Sequence, residues 1–250
     1  MPNGDVGRLA IRLASIMSKK GKKENKSEET TEAVPEIEAQ EADFSDSNQN
    51  QNQQQPAEKL PTSIEQVKLK EPVVGHLIGT KVAVREDFQN AQQFFDRSSF
   101  GEIFGAQQGV KETRIEFALD EALYLMERGK LVIFDGKKKL TFEQFVKLAN
   151  KTETNFWTKY QVYRDIRTRG YITKTALKFG ADYRLYPRGV KPGQDHAKWV
   201  LFCTNEYDSY TWTQFAAMNR VAHSTRKKLL VGIVDKEGEV TYYEIRWKKP

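Results

Sequence analysis

Apolar and polar positions along residues 71–153 predict a succession of strands and helices. Residues 72–86 alternate loosely between turn residues, which is typical of two short strands. Residues 114–130 place apolar side chains along one helical face and reach Gly129, which predicts a helix with a glycine stop. A strand and a turn follow, and a capping box at 141–144 opens another helix. We therefore expect a small α/β domain in this segment.

The pattern in residues 154–250 again mixes helices with strands. A helix over residues 155–168 presents Phe156, Tyr160 and Tyr163 on one face. Three extended segments follow it, at 171–179, 181–187 and 198–204. We expect a second, mixed-sheet α/β domain of nuclease-like type, so the predicted fold class is α/β (α+β).

Two further elements complete this second domain. Residues 211–225 predict a helix, and its apolar residues available for burial are Trp212, Phe215, Ala216 and Val221. Residues 228–247 predict a hairpin made of an apolar strand, an acidic turn and an alternating strand.

The first 70 residues differ from the rest of the chain. Residues 24–59 contain few large apolar side chains and run into an Asn/Gln tract. Such a segment cannot bury enough surface to offset its chain entropy, so it is predicted to be disordered. Residues 6–18 have apolar residues at helical spacing, although a fraying terminus is the alternative that we favour. The predicted division is an extension at 1–70, an N-terminal domain at 71–153 and a C-terminal catalytic domain at 154–250.

Composition narrows the class of protein. The chain of 250 residues has one cysteine, Cys203, and three histidines without close spacing. This excludes a disulfide framework within the chain and argues against a Cys- or His-based metal site. The sequence contains neither an apolar run of about 18 residues nor a secretory signal pattern. We expect a cytoplasmic protein without metal or cofactor.

Charge points to a class of partner. The net charge is +6, and the positive excess lies in residues 156–250, where eighteen Lys and Arg residues face nine Asp and Glu residues. Residues 163–189 interleave such cations with Tyr and Phe rings. A basic surface with interleaved rings indicates a polyanion, and nucleic acid is the first candidate. A bias toward solubility is the alternative explanation.

If the partner is RNA, few residues could cleave it without a metal ion. Cleavage then needs a base for the 2′-hydroxyl, an acid for the leaving 5′-oxygen and a cation near phosphorus. Histidine is the natural proton donor near neutral pH. His196 lies at a loop-to-strand edge beside Asp195, an exposed place that suits a functional imidazole. His223 lies on a helix with a face available for burial, which favours a structural role, and His76 has no basic neighbourhood.

A metal-dependent nuclease is a rival hypothesis, because it would need carboxylates that converge with a lysine. The acidic residues of the C-terminal domain form no such set by spacing. Asp235, Glu237 and Glu239 crowd the turn of the hairpin, here called the acidic turn, around Gly238. This cluster indicates a charged tip for a partner surface rather than a metal cage.

Three blocks of the C-terminal domain resemble the archaeal tRNA-splicing endonuclease family in order and spacing. They are residues 163–189, 195–201 and 220–247, and residues 119–133 resemble the N-terminal domain of that family. The resemblance implies Tyr186 as the general base, His196 as the general acid and Lys227 as the cation that stabilises charge on phosphorus. It also implies a 2′,3′-cyclic phosphate and a 5′-hydroxyl as products, with no metal ion.

The same resemblance implies residues for RNA binding and for assembly. Arg220 and Trp247 match two side chains that pinch a bulged base, which stacking and cation–π attraction would support. Interface packing is the alternative for Trp247. The acidic turn matches a loop that inserts into a polar groove of an opposing subunit, and the last strand would help to pair two chains. Ala197 and Ala176 stand where the family often has Ser and Gly, but neither change removes a catalytic group.

The predicted function is metal-independent excision of introns from precursor tRNA at bulge–helix–bulge sites, which are recognised by RNA shape. Two cuts flank each intron, so a symmetric assembly with two active sites would suit the task. The partners are then precursor tRNA and either further copies of the chain, up to a homotetramer, or a structural subunit in a heterotetramer. The alternative is a non-catalytic RNA-binding or scaffold subunit on the same fold, which would be expected to lose triad members.

Overall fold

The computed structural model describes Ile64 and residues 67–105 and 113–246. These residues form five α-helices and two mixed β-sheets, which confirms the predicted α/β (α+β) class. The predicted disorder of residues 24–59 and the helical spacing of residues 6–18 lie outside the described residues. No helix of the described part of the chain combines the length and the apolar character needed to cross a membrane.

The first sheet belongs to the N-terminal half. Its strands are β1 (Val73–Ile78), β2 (Lys81–Val84), β3 (Glu102–Phe104), β4 (Arg114–Ala118), β5 (Leu131–Asp135) and β6 (Lys138–Lys139), in the order β3-β4-β2-β1-β5-β6. Only β1 and β5 pair in parallel. The helices of this half are α1 (Phe88–Ser98), α2 (Leu119–Glu127) and α3 (Phe142–Thr152). The predicted capping box opens α3, because Thr141 Oγ1 accepts from Gln144 N–H at 3.3 Å and Gln144 Oε1 accepts from Thr141 N–H at 3.2 Å.

One prediction in this half is wrong, and three elements were not predicted. The helix expected from residue 114 begins only at Leu119, and residues 114–118 form the strand β4 instead. Buried Ile115 and Phe117 alternate there with half-exposed neighbours, which is the period of a strand. Helix α1 and the strands β3 and β6 were not predicted. Asp87, a residue type typical of an N-cap, precedes α1, but its side chain accepts from the side-chain amide of Asn90 at 2.7 Å and makes no capping hydrogen bond.

The second sheet belongs to the C-terminal half. The elements are α4 (Phe156–Thr168), β7 (Ile172–Thr175), β8 (Tyr183–Tyr186), β9 (Trp199–Asn205), α5 (Trp212–Ser224), β10 (Lys228–Val234) and β11 (Val240–Ile245). The strand order is β11-β10-β9-β8-β7. Strands β9 and β10 are parallel and α5 connects them, whereas the other neighbours are antiparallel. The two predicted helices and the predicted strands of this half are confirmed, except that residues 177–179 of the first extended segment form a short 3₁₀-helix.

A continuous hydrophobic core joins the two halves. The rings of Tyr160 and Tyr163 on α4 are fully buried, and Tyr163 meets Tyr124 of α2 edge to face at 5.8 Å between ring centroids. Ile64 and Val67, which precede the expected start of order near Glu71, are also buried in this core. The four tyrosines of residues 163–189 are each at most 7% exposed, so their rings are held by packing, since large apolar surface is buried with each ring.

Arg167, in the same basic and aromatic stretch, is structural as well. Its side chain is 6% exposed and donates to the carbonyl oxygen of Ser98 at 2.7 Å, 69 residues away along the chain. The guanidinium also lies 3.8 Å from the centroid of the Phe100 ring. Arg167 therefore links α4 to the N-terminal half and has no access to a phosphate.

Helix α5 is more exposed than its sequence suggests. Trp212 is 85% exposed, Ala216 is exposed, and Ala222 is the buried residue of the helix. Of the apolar residues available for burial on this helix, Phe215 and Val221 are partly covered, and Trp212 and Ala216 are exposed. His223 is exposed, whereas Ala222 and Met218 of this helix pack on the sheet, so burial does not give His223 a structural role.

Candidate active site

Tyr186, His196 and Lys227 lie at one end of the C-terminal sheet. Tyr186 is the last residue of β8, His196 precedes β9 by three residues, and Lys227 immediately precedes β10. The register fixes this arrangement, because Leu185 pairs with Trp199 and Trp199 pairs with Lys228. Neighbouring strands are about 4.8 Å apart, so the three main chains span about 10 Å. This distance is small enough for three side chains to converge on one phosphodiester.

The ring of Tyr186 is held by packing. It is 5% exposed and belongs to a small cluster with Ile172, Ala197 and the partly buried Val190. Ile172 is also its partner across the β7–β8 ladder. The ring position is therefore fixed on both sides, and this rigidity suits a residue that must hold an oxygen near a reacting group.

His196 is presented by a loop that is anchored at several points. The imidazole is exposed, while the next residue, Ala197, is buried against the ring of Tyr186. The backbone N–H of His196 donates to Asp195 Oδ1 at 2.6 Å. Lys191 ties the loop to the N-terminal half, because its Nζ donates to the Asp96 carbonyl oxygen at 2.6 Å. The sequence-based expectation of an exposed histidine at a loop-to-strand edge is thus met in position.

Lys227 follows the last turn of α5. Its N–H donates to the Ala222 carbonyl oxygen at 2.8 Å, and the N–H of Lys228 donates to the carbonyl oxygen of Lys198 at 2.9 Å. The ammonium of Lys227 contacts the carbonyl oxygen of Thr225 at 3.1 Å. Within the described residues no carboxylate lies at ion-pair distance from this ammonium. The cation is therefore available to an anionic substrate.

The predicted RNA-binding residues have different outcomes. Arg220 is exposed on α5, two turns before Lys227. Trp247 lies outside the described residues, so its predicted role as the second pinching residue has no structural test. Across residues 67–105 and 113–246, no three His, Cys, Asp or Glu side chains are arranged to hold a metal ion.

The acidic turn closes the opposite end of β10. The N–H of Asp235 donates to the carbonyl oxygen of Glu239 at 3.0 Å, and Asp235 Oδ1 accepts from the N–H of Glu239 at 2.9 Å. Glu237 and Glu239 are exposed. Gly238 has φ 88°, and a Cβ there would meet Gln161 Nε2 of α4 at 2.6 Å, so this turn requires glycine. Asp235 is therefore partly committed to the turn, whereas the side chains of Glu237 and Glu239 are exposed.

A groove of about 580 Å³ between the two halves is the feature that sequence reasoning did not locate in this chain. Its three lysines are all paired within it: Lys81 with Glu116 at 3.3 Å, Lys159 with Asp182 at 3.1 Å and Lys174 with Glu121 at 3.5 Å. No local motif marks it, because its residues come from both halves of the chain.

The floor of this groove holds a buried carboxyl group, Asp120. Burial, reinforced by the charge of Glu121, raises the pKa of Asp120 to about 7. Asp120 accepts a hydrogen bond from the N–H of Glu121 at 2.9 Å and interacts with the hydroxyl of Tyr183. The hydroxyl groups of Tyr163 and Thr173 also line the groove, buried and without a hydrogen-bond partner among the described residues.

Comparison with known proteins covers both halves of the chain. The family model described as the tRNA intron endonuclease catalytic C-terminal domain matches residues 156–242, and the model of the N-terminal domain matches residues 73–146. A tRNA-splicing endonuclease of Thermococcus onnurineus (strain NA1) is 38% identical over 181 residues, which are 72% of this chain and 99% of the relative. The protein of that name in Nanoarchaeum equitans (strain Kin4-M) is 41% identical over 156 residues, 60% of this chain and 99% of the relative. The one from Methanothermobacter thermautotrophicus is 37% identical over 173 residues, 69% and 96% of the two chains.

Proposed function

Because the chain belongs to the tRNA intron endonuclease family, we propose that it excises introns from precursor tRNA as a metal-independent catalytic subunit acting at bulge–helix–bulge sites. Family membership itself supports a tRNA-splicing endonuclease. The finer statement is carried by one observation, which is that Tyr186, His196 and Lys227 come to one end of one sheet. These residue types can supply the proton transfers and the cation that RNA cleavage needs.

In the proposed mechanism the RNA provides its own nucleophile. Tyr186 acts as the base in its deprotonated form: its phenolate oxygen takes the proton of the 2′-hydroxyl, and the 2′-oxygen forms a bond to phosphorus. The bond from phosphorus to the 5′-oxygen breaks, and His196 gives that oxygen a proton. The ammonium of Lys227 stabilises the negative charge that builds on the phosphoryl oxygens. The products are a 2′,3′-cyclic phosphate and a 5′-hydroxyl.

Recognition is assigned to RNA shape and to stacking. Arg220 is proposed to stack on a bulged base, and its exposure on the helix that leads to Lys227 supports this. Trp247 is proposed as the second pinching residue on the strength of its sequence position alone.

The proposed assembly uses the end of the sheet that carries the acidic turn. Glu237 and Glu239 are exposed there, and β11 is the outer strand of the sheet, whose free edge could pair with another chain. The interdomain groove is the candidate receptor for an acidic turn. Its lysines already have carboxylate partners, so docking would have to exchange these ion pairs. A homotetramer and a heterotetramer with a structural subunit both remain consistent with this surface, and the mass of the chain expressed alone would separate them.

The proposed domain division places the N-terminal domain at 71–153 and the catalytic domain at 154–250. Each sheet is contained within one of these segments, which supports the division. A non-catalytic subunit is the second candidate function. The presence of all three triad residue types at one sheet end favours the catalytic subunit over it.

The test is cleavage of a bulge–helix–bulge RNA by the purified chain in EDTA. We expect two cuts that release the intron, with cyclic phosphate and 5′-hydroxyl ends. An RNA with 2′-deoxy sugars at the two cleavage positions is the control, since it lacks the nucleophiles and must stay intact. If cleavage were absent in EDTA and magnesium restored it, the mechanism proposed here would be wrong. If the RNA were bound but never cut, the scaffold function would be favoured.

A further inference from the structure

Three helices of this chain end in the same closing turn. At the end of α2, Gly129 N–H donates to the Met126 carbonyl oxygen and Lys130 N–H donates to that of Leu125. The ends of α4 and α5 repeat this pair of hydrogen bonds, at Gly170 and Tyr171 and at Arg226 and Lys227. The chain enters a strand directly after each turn. In such a turn the first residue of each pair is left-handed, and glycine is the usual choice for it.

The third turn departs from this choice. The left-handed residue is Gly129 with φ 65° after α2 and Gly170 with φ 86° after α4, but it is Arg226 with φ 55° after α5. The Cβ atom makes this conformation costly for every residue except glycine, and only Asn and Asp adopt it with some ease. The fold therefore asks for glycine at position 226, and arginine is kept there against the backbone preference.

Packing does not explain the arginine. Arg226 is exposed, and within the described residues its guanidinium has no ion pair, hydrogen bond or ring contact. The turn itself uses only the backbone of Arg226, whose N–H donates to the carbonyl oxygen of His223 at 3.0 Å. A strained position whose side chain has no partner among the described residues supports a ligand as that partner.

The location of the residue identifies the chemistry of that ligand. Arg226 is bonded directly to Lys227, at the same sheet end as Tyr186 and His196. A planar guanidinium with several donors is the side chain best matched to phosphate oxygens. We propose that Arg226 is a phosphate-binding residue of this site, which holds a phosphate next to the one that Lys227 contacts. This inference rests on the proposed RNA substrate.

The experiment exploits two effects of opposite sign. Arg226→Gly removes the cation and also relieves the backbone, so binding should weaken while the melting temperature stays equal or rises. Binding is measured with the wild-type protein and its variants on the bulge–helix–bulge RNA that has 2′-deoxy sugars at the cleavage positions. We expect an affinity loss of about threefold to tenfold near 0.1 M salt and a salt slope reduced by about one. Arg226→Lys keeps the charge and loses only the forked geometry of the guanidinium, so its loss of affinity should be clearly smaller than that of Arg226→Gly.

Asn155→Gly is the matched control. Asn155 is the other exposed residue with a left-handed backbone in the described residues outside glycine, with φ 57° at the start of α4. Its replacement also places glycine at a left-handed position, with less strain to relieve because Asn tolerates this conformation, and it lies far from the sheet end, so RNA affinity should be unchanged. Unchanged affinity in Arg226→Gly would overturn the proposal. A drop in melting temperature that parallels the loss of affinity, or an equal loss in Arg226→Lys, would overturn it too. If the wild-type protein binds this RNA but does not cut the unmodified RNA, the proposed cleavage fails while the phosphate contact can still be judged.

Discussion

The two ends of the C-terminal sheet differ in charge and in how their side chains are used. The end with Tyr186, His196 and Lys227 is basic, and the end with the acidic turn also holds Glu206 and Asp208. Strand β10 runs from one to the other over seven residues, which corresponds to about 20 Å. An RNA phosphate would be attracted to the first end and repelled by the second.

Carboxylates at the acidic end serve the backbone of the chain itself. Glu206 Oε1 accepts from the N–H of Lys236 at 3.0 Å, and Asp208 Oδ2 accepts from the N–H of Asn205 at 3.1 Å. At the basic end, the imidazole of His196 has no hydrogen-bond partner among the described residues. Polar groups that a fold leaves unused are the ones that a substrate can use, so the comparison separates a structural end from a chemical end.

The largest effect is expected from a substitution at the basic end of the sheet. His196→Ala should lower the rate of cleavage by about 10²–10⁴-fold, because the leaving 5′-oxygen loses its proton donor. Affinity for the uncleavable RNA should stay within about threefold, since the imidazole is not expected to carry the phosphate contacts. Single-turnover cleavage and a binding titration measure the two quantities.

His223→Ala is the control for this change, because His223 is also exposed but lies on α5. Its cleavage rate should remain within about twofold of the wild type. A large loss of cleavage rate in His223→Ala together with a normal rate in His196→Ala would indicate that His223 is the general acid and would refute the proposed site.

The sequence allowed the elements of the sheet to be predicted but not their order. Strands β8, β9 and β10 were expected from apolar runs, yet periodicity says nothing about which strands are neighbours. The convergence of Tyr186 and Lys227 depends on that order, since they come from strands separated by β9. The triad was therefore selected by resemblance, and the bottom-up pattern offered only His196 as a candidate.

Two failures show where local pattern loses to tertiary context. Arg167 has the charge expected of an RNA-binding residue. It is buried, however, because it binds the carbonyl oxygen of Ser98, 69 residues away, and lies 3.8 Å from the centroid of the Phe100 ring. Trp212 has the size of a core residue, but α5 packs on the sheet only near its C-terminal end and leaves the ring in solvent. Both outcomes depend on contacts that are remote in sequence, which composition and spacing cannot reveal.

The second prediction concerns Asp120, the buried carboxyl group in the groove between the two halves. Its pKa rises from 3.8 to about 7 on folding, so the folded state binds more protons than the unfolded state between these values. Stability should therefore fall as pH rises from about 4 to about 7 and stay low above that. Asp120→Asn removes the ionisation, and it should raise the free energy of unfolding at pH 8 by up to about 4 kcal/mol.

Urea unfolding at pH 4 and pH 8 measures this difference. At pH 4 the two proteins should be nearly equal, because Asp120 is then largely protonated in the folded state. Asp135→Asn removes an exposed carboxylate and should change stability by less than about 0.5 kcal/mol at both values. A stabilisation by Asp120→Asn that is the same at pH 4 and pH 8 would contradict the ionisation argument.

The third prediction sharpens the role of the acidic turn. The double change Glu237→Gln and Glu239→Gln removes two exposed charges without touching the hydrogen bonds of Asp235 that hold the turn. We expect weaker assembly by about tenfold, equivalent to about 1.4 kcal/mol, with the free energy of unfolding unchanged. Light scattering over a range of protein concentrations measures the mass, and Asp96→Asn, an exposed acid on α1, is the control. If the double variant had the same mass as the wild type at every concentration, the acidic turn would not belong to the assembly surface.

The smallest expected effect belongs to Trp212, the most exposed large apolar residue at the acidic end. Helix α5 has thirteen residues and begins at Trp212, so the ring lies about 20 Å along the helix from the turn that holds Lys227. Trp212→Ala loses an edge-to-face contact with Phe215, at 6.0 Å between ring centroids, in a setting that is mostly solvent. The free energy of unfolding should therefore fall by no more than about 1 kcal/mol, and cleavage should remain within about twofold. A loss of cleavage rate greater than tenfold, with assembly mass and melting temperature unchanged, would mean that the substrate also contacts the acidic end. Substrate binding would then not be confined to the basic end.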